Sequence, residues 1–442
     1  MSGGERPGGA VESSRLKGFY KLDVSARVDE IARLAGLDED DRRVLLGMRG
    51  FGLGEADRMI ENVIGILPLP IGVAANFKID GVDRLVPMAT EEPSVVAAAS
   101  NSARRMRDGL GIRTWASEPI MISQIQLTEI PDLERATTAV LAAAPELLAD
   151  ADHGHDRLRA AGGGPRSIEC RALPDTRVGP MLVVHLLVDV RDAMGANAVN
   201  GMAEALAPRL EALTGGKSCL KILSNYTTER RVGAAVEMSA EEIATANAAS
   251  VEVANEVEKA SALAEADPYR AATHNKGILN GIDAVLLATG QDFRAVEAGA
   301  HAWAARNGRY TALATWTRTA AGGIRGELEL PLSVGIVGGV TKVHPVVRVA
   351  LKILGVQSAS DLARVAAAAG LAQNFGALHA MATEGIQRGH MSLHARNVAA
   401  VAGAEPHEIA AVVREMVDAS QVNDGAARAV LTRLRGAVRS DA

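Results

Sequence analysis

MLVVHLLVDVRDAMGANAVN, residues 181–200, decides how this chain is read. Its first ten residues are almost all apolar and rich in valine, the signature of a strand covered on both faces. Asp192, Ala193, Met194, Gly195, Ala196 and Asn197 then turn that strand into a helix. Small residues at a helix start expose backbone N–H groups and aim the positive end of the dipole outward, which suits a phosphate. Taken alone, such a joint is more often a tight turn than a binding site. The dinucleotide fingerprint G-x-G-x-x-G is absent; Gly50, Gly52 and Gly54 come near it, but Glu55 ends the pattern. A Rossmann unit is therefore disfavoured.

Working outward, a Gly162-Gly163-Gly164 turn and a strand over 167–173 precede this segment. Before them lie a helix holding Leu133, Val140, Leu141, Leu147 and Leu148 and an alternating strand around 124–127. After it, a helix over 193–213 leads to a last strand at 219–224. The order β-α-β-β-α-β is that of a ferredoxin-like unit, spanning 118–225 and inserted into a larger body. The fold class is thus α+β.

The flanks are mainly helical. Residues 24–48 carry helical periodicity through Val28, Ile31, Leu34, Val44 and Leu45, and 59–66 reads as a further helix after a Gly-rich link at 50–54. Residues 71–87 are extended and broken by Asp80-Gly81, a hairpin turn signal. A helix follows, with Pro93 and Ser94 near its first turn. The large body, 24–117 and 226–385, includes a long Ala-rich helix expected to start at Ser360-Asp361. Gly385 and Gly389 interrupt helical periodicity, and 386–442 reads as a mobile helical flap or, equally, an ordinary helical subdomain. Residues 1–23 read as a flexible tail.

Composition excludes several classes. The 53 acidic residues outnumber the 47 basic ones, no Lys/Arg block is present, and aromatics are 3%, so neither phosphate-backbone binding nor base stacking is provided for. Cys170 and Cys219 are too few for a disulfide framework or a thiolate zinc site. No uncharged apolar run is long enough for a bilayer, and the first residues lack a signal-peptide core. A cytoplasmic protein without membrane, nucleic-acid or metal partners is expected.

Four stretches could carry chemistry. DPYRAATHNKGILNGID, 267–283, gathers Arg270, Thr273, Asn280 and Lys276, and no acid neighbours that lysine in sequence. Such a set can clamp a carboxylate and steady an oxyanion. MATEEPSVV, 88–96, sets Glu91 and Glu92 before a helix start, where dipole complementation is the plain alternative. Asp292 follows Gly290-Gln291 in a helix-capping position. His390 follows Gly389, where an imidazole could be delivered to a site and withdrawn.

Together with ENVIGILPLPIGVAANFKIDG, VGPMLVVHLLVDVRDAMGANAVN, ATGQDFRAVEAGAHA and ATEGIQRGHMSLHARN, these strings resemble the class II 3-hydroxy-3-methylglutaryl-coenzyme A (HMG-CoA) reductases, in that family's order, over roughly 24–430. The resemblance implies a large domain around a long central helix, a ferredoxin-like cofactor domain and a C-terminal flap. It further implies a homodimer, or a higher oligomer of dimers, with active sites at the subunit interface. HMG-CoA and mevalonate plus coenzyme A are the implied reactants. Matching positions assign catalysis to Glu92, Lys276, Asp292 and His390, and the HMG moiety to Ser94, Arg270, Thr273 and Asn280. Asp192 to Asn197 match the cofactor loop. His155 falls where NADH-preferring relatives carry an acid, with Asp156 beside it, so NADH is expected, with NADPH the second option. Tyr20 and Lys21 fall where a basic coenzyme A contact is expected. A reductase of another acyl-CoA thioester is the competing enzyme class.

Overall fold

The computed structural model describes residues 11–245, 249–383, 395–405, 407–419 and 421–440. Near the N-terminus, helices Val24–Ala35 and Glu39–Leu45 match the expected periodicity. The next helix is only Leu53–Asp57; residues 59–66 form no helix. Pro68 and Pro70 follow closely, and the residue before a proline is pushed toward extended backbone. The hairpin is as read: β1 (Ile71–Ile79) pairs antiparallel with β2 (Val82–Ala89). Asp80 and Gly81 both take positive φ at its tip, as a tight two-residue turn requires.

A short strand, β3 (Arg113–Ala116), ends the first part of the large body. Four strands then build a second unit: β4 (Ile120–Thr128), β5 (Gly164–Leu173), β6 (Met181–Asp189) and β7 (Lys217–Leu223). They lie in the order β5-β6-β4-β7, all antiparallel. That is the ferredoxin-like arrangement expected from the strand order. The single helix read over Leu133 to Leu148 is two, Leu133–Ala142 and Ala144–Asp152, because Pro145 starts a new first turn. The helix after β6 begins at Ala196 rather than at 193, capped by Gly195 at φ 96. Met121, Val140, Leu147, Val184, Leu186 and Leu206 fill the space between sheet and helices.

Back in the large body, β8 (Arg231–Met238), β9 (Ala314–Arg318) and β10 (Ile324–Pro331) join β3 in a sheet ordered β3-β8-β10-β9. Two helices pack into its core, Pro268–Ala288 and the 25-residue Ala359–Thr383. The latter starts one residue earlier than expected. Its cap is Ser358, whose Oγ accepts from Asp361 N at 3.0 Å. Trp316 of β9 is buried and donates its indole N–H to Asn374 Oδ1 at 2.7 Å. Residues 395–401 and helices Ile409–Asp418 and Asp424–Ser440 share a separate small core of Ala395, Ala399, Val412, Met416, Ala427 and Leu431. Among the described residues no helix is long and apolar enough to cross a membrane.

The two long helices touch backbone to backbone. A Cβ on Gly281 would lie 2.6 Å from Ala369 O and 2.7 Å from Gln373 Cβ. Gly281→Ala should therefore force the helices apart and cost about 1–3 kcal/mol, read as a lower urea midpoint at unchanged slope. An unaltered midpoint would contradict this packing.

Candidate active site

The Pro268–Ala288 helix is set by its cap: Asp267 accepts from Arg270 N at 3.0 Å, with Pro268 in the first turn. Its register then sorts the string His274-Asn275-Lys276. His274 is buried, its Nε2 lies 3.1 Å from Ala314 O, and burial pushes its pKa down to about 4. It is a neutral anchor. Asn275 donates to Thr311 O at 2.9 Å and to Tyr310 Oη at 3.0 Å, and accepts from Leu313 N at 2.9 Å. With both neighbours tied to the segment leading into β9, Lys276 is turned outward.

Lys276 Nζ donates to Glu92 Oε2 at 2.9 Å, and Asn280, one turn on, donates to the same oxygen at 3.4 Å. Glu92 reaches them from the turn after β2, where its own N–H donates to Thr90 Oγ1 at 3.1 Å. The side chains remain 62% and 36% exposed for Lys276 and Glu92. An ion pair this wet adds about 0–1 kcal/mol at most, so stability does not explain it.

Glu92 lines a cavity of about 660 Å³ together with Ser94, Asn101, Arg105, Gly277, Asn280 and His379 among others; Lys276 itself is not a lining residue and meets the cavity through Glu92. Thr273 and Arg270 lie about one and two turns before Lys276 on the same helix and are not among the lining residues. The Arg270 guanidinium instead reaches Met381 Sδ at 4.0 Å, and burial lowers its pKa. Thr273 donates to Tyr269 O at 3.5 Å. A second cavity of about 820 Å³ shares Ala97 and Asn101 with the first and is lined by Phe19, Tyr20, Arg27, Arg104 and Arg396. Tyr20 lines this space and Lys21 does not; the cations facing it are arginines.

Asp292 caps the Phe293–Ala304 helix, accepting from Ala295 N at 3.1 Å, and pairs with Arg294 at 3.4 Å. Within one chain its partners are these, not Lys276 or Glu92. Sequence reading missed another carboxyl on the lysine helix. Burial, and then contact with the Glu297 carboxyl, push Asp283 up to about 8.

The Asp192–Asn197 loop sits at the far end of the long helix. Asp192 Oδ1 accepts from Ala359 N at 2.8 Å, and its carbonyl accepts from Ile336 N at 2.9 Å. A Cβ on Gly195 would lie 2.5 Å from Val190 Cγ1, so the turn demands glycine for space as well as for φ. His155 precedes a short Asp156–Ala160 turn of helix. That segment closes on the loop's base, where Arg191 Nη2 donates to Gly162 O at 2.6 Å. Asp156 is paired with Arg159.

A family model for hydroxymethylglutaryl-coenzyme A reductase matches residues 24–395. The chain is 51% identical over 423 residues to the 3-hydroxy-3-methylglutaryl-coenzyme A reductase of Archaeoglobus fulgidus, covering 96% of this chain and 95% of that one. The chain belongs to the hydroxymethylglutaryl-coenzyme A reductase family. Its fold matches the Streptococcus pneumoniae reductase with a TM-score of 0.81 at 38% identity, over 95% of this chain and 99% of that one. A class II reductase structure from the same organism, bound to NADPH in open conformations, matches with a TM-score of 0.80 at 38% identity, over 83% and 99%. Of the residues the family resemblance singles out, His390 and the expected hinge glycines Gly385 and Gly389 lie outside the described residues. Asn101 and Arg105, which the sequence reading missed, stand one helical turn apart on the helix begun by Pro93-Ser94, and that spacing was available in the sequence.

The Asp283–Glu297 pair gives a pH test. Folded Asp283 keeps a proton that the unfolded chain releases near about 3.9, so the native state binds more protons between about pH 4 and pH 8. Stability from this site is full below that window and is lost as pH rises through it. Urea midpoints should fall with pH across it, and Asp283→Asn should flatten the fall; parallel slopes for both proteins would refute the assignment.

Proposed function

We propose that the protein interconverts HMG-CoA and mevalonate plus coenzyme A through a mevaldehyde-level intermediate. Two molecules of reduced nicotinamide cofactor, bound one after the other, would each supply one hydride. The observation that carries this reading is the Lys276 ammonium on the Glu92 carboxylate at the mouth of the cavity. Each hydride leaves negative charge on the same substrate oxygen, so one cation beside that oxygen serves both steps. Glu92 is the proton donor to the alkoxide formed from the aldehyde. Asn280 keeps the Glu92 carboxyl turned toward the lysine. Ser94, Arg270 and Thr273 hold the HMG group, the arginine by its carboxylate. His390 protonates the departing thiolate: a thiol near about 8.5 takes a proton readily from an imidazolium near about 6.5.

The coenzyme A portion fits the second cavity, whose Arg27, Arg104 and Arg396 suit phosphates and which opens onto the first at Ala97 and Asn101. For the cofactor, the 192–197 loop offers the free N–H groups of a helix start. We favour NADH, His155 standing at the edge of that site, and the same site runs toward synthesis or breakdown of mevalonate. Free Cys170 and Cys219 suit a reducing cytoplasm.

We also propose that the working unit is a homodimer with sites shared between subunits and closed by the 386–442 helices as a flap. Gly281 faces Ala369 and Gln373 while Arg270 reaches Met381, so Lys276 lies opposite the 373–381 stretch. From there back to Ala359, where Asp192 is fixed, the helix runs about 21–33 Å at 1.5 Å per residue. That span is too long for the nicotinamide half of a dinucleotide held at its pyrophosphate, since hydride donor and acceptor must come to about 3–3.5 Å. A partner's loop meets the requirement, and association is how Asp292 would join Lys276 and Glu92. The exposed apolar run Ile60, Ile64, Ile66 and Leu67 offers the subunits a contact surface.

Two experiments test this. Lys276→Ala should still bind HMG-CoA while kcat falls by roughly 10²–10³-fold or more with either cofactor, in either direction; near-normal turnover would remove the mechanism. Lys276→Ala and Gly195→Val chains should each be inactive alone and regain activity when refolded together. A mixture that stays dead would mean that each chain serves its own site.

A further inference from the structure

Arg230 stands at the foot of β8 and is 5% exposed. Its guanidinium donates to Ala193 O at 3.1 Å, to Met194 O at 3.3 Å and to Val334 O. All three acceptors are backbone carbonyls. Asp189 and Asp192 act on it only through space, and Asp189 is itself paired with Arg166 and Arg191 at 2.7 and 3.0 Å. Burying a guanidinium costs several kcal/mol before its partners repay it, so holding β8 in place is a poor reason to keep one here. Nη1 donates to both successive carbonyls while Nη2 anchors the same plane to Val334 O, and this does something an apolar residue cannot: it fixes the direction of both peptide planes against the large body.

The peptides are trans. With the Met194 carbonyl drawn to Arg230, the N–H of Gly195 in the same peptide points the opposite way. It is thereby aligned beside the unpaired first-turn N–H groups of the Ala196–Thr214 helix. Successive N–H groups so directed make a concavity for a diphosphate. The rest of the loop is pinned by the same body. Ile336 N and Ala359 N hold Asp192, and Gly335 lies so close that a Cβ there would be 2.4 Å from Met194 N.

We propose that Arg230 is a positioning residue for the cofactor: it belongs to the large body yet sets the shape of the small unit's dinucleotide-binding loop. This rests on the assignment of 192–197 to the cofactor. Steady-state kinetics of the full-length enzyme should show Arg230→Met raising the KM for NADH and NADPH by roughly tenfold or more, the equivalent of one charge-assisted hydrogen bond. The KM for HMG-CoA and kcat at saturating cofactor should stay within about twofold. Arg230→Lys, which can still reach one carbonyl, should recover part of the loss, and it decides the matter if the methionine variant does not fold. An unchanged cofactor KM in the lysine variant, or equal losses in kcat and in both KM values, overturns the proposal. Gly195→Val is the control. Since that variant should be inactive, it is read by equilibrium titration with NADH and NADPH: unchanged binding means that the loop assignment fails and this proposal with it, whereas weakened binding while the Arg230 variants keep their cofactor KM means that only the proposal fails.

Discussion

The contact between Lys276 and Glu92 is the constraint around which the rest is arranged. An ammonium and a carboxylate at 2.9 Å in a wet cleft contribute little to stability, yet the chain spends much structure on bringing them together. His274 and Asn275 tie one face of a helix to the segment before β9, so that the next residue must face out. The hairpin turn and the β2 end deliver Glu92 from nearly two hundred residues away in sequence. The close Gly281–Ala369 approach then fixes that helix against the 25-residue helix whose last turns wall the cavity.

That long helix acts as a spacer. One end is bound to the Asp192 carboxylate and the other borders the 660 Å³ cavity, so within a chain the proposed cofactor loop and substrate cavity are held apart by a rigid rod. Rigidity here is useful if the partner subunit supplies the missing half. A reaction with two hydride steps needs the spent cofactor to leave while the intermediate stays, and placing cofactor and thioester on different bodies lets one site empty without disturbing the other.

How much of this the sequence discloses depends on the range of the interaction. Local signals were sufficient where one or two residues decide the backbone: Asp80-Gly81 gave the hairpin, and strand order gave the ferredoxin-like unit. The 59–66 segment failed because its apolar residues mimic helical periodicity while Pro68 and Pro70 forbid the continuation. The long helix was placed one residue late because Ser360-Asp361 looks like a cap, although the hydroxyl that accepts the first-turn N–H belongs to Ser358. Glu92 and Lys276 could be named from their strings, but only the family resemblance set them side by side, as the 2.9 Å contact has them. Arg230, Asp283 and Gln373 carried no local mark at all, since what distinguishes them is burial against elements far along the chain.

The exposure of the Lys276–Glu92 pair bears on the chemistry itself. A carboxyl that is to donate a proton near neutral pH needs its charged form disfavoured, and in open water nothing does that. Proton donation by Glu92 therefore requires that water be excluded and that the lysine's charge be claimed by something else, and the developing substrate oxyanion is the natural claimant. On the proposed reading, charge developing on the substrate oxygen would draw the ammonium away from Glu92, and the proton that the alkoxide takes would come from the Glu92 carboxyl. Under the proposed function, an open cleft with a loose ion pair and a closed one with a proton donor would be two settings of one electrostatic contact, and the proposed flap and partner subunit would move the site between them.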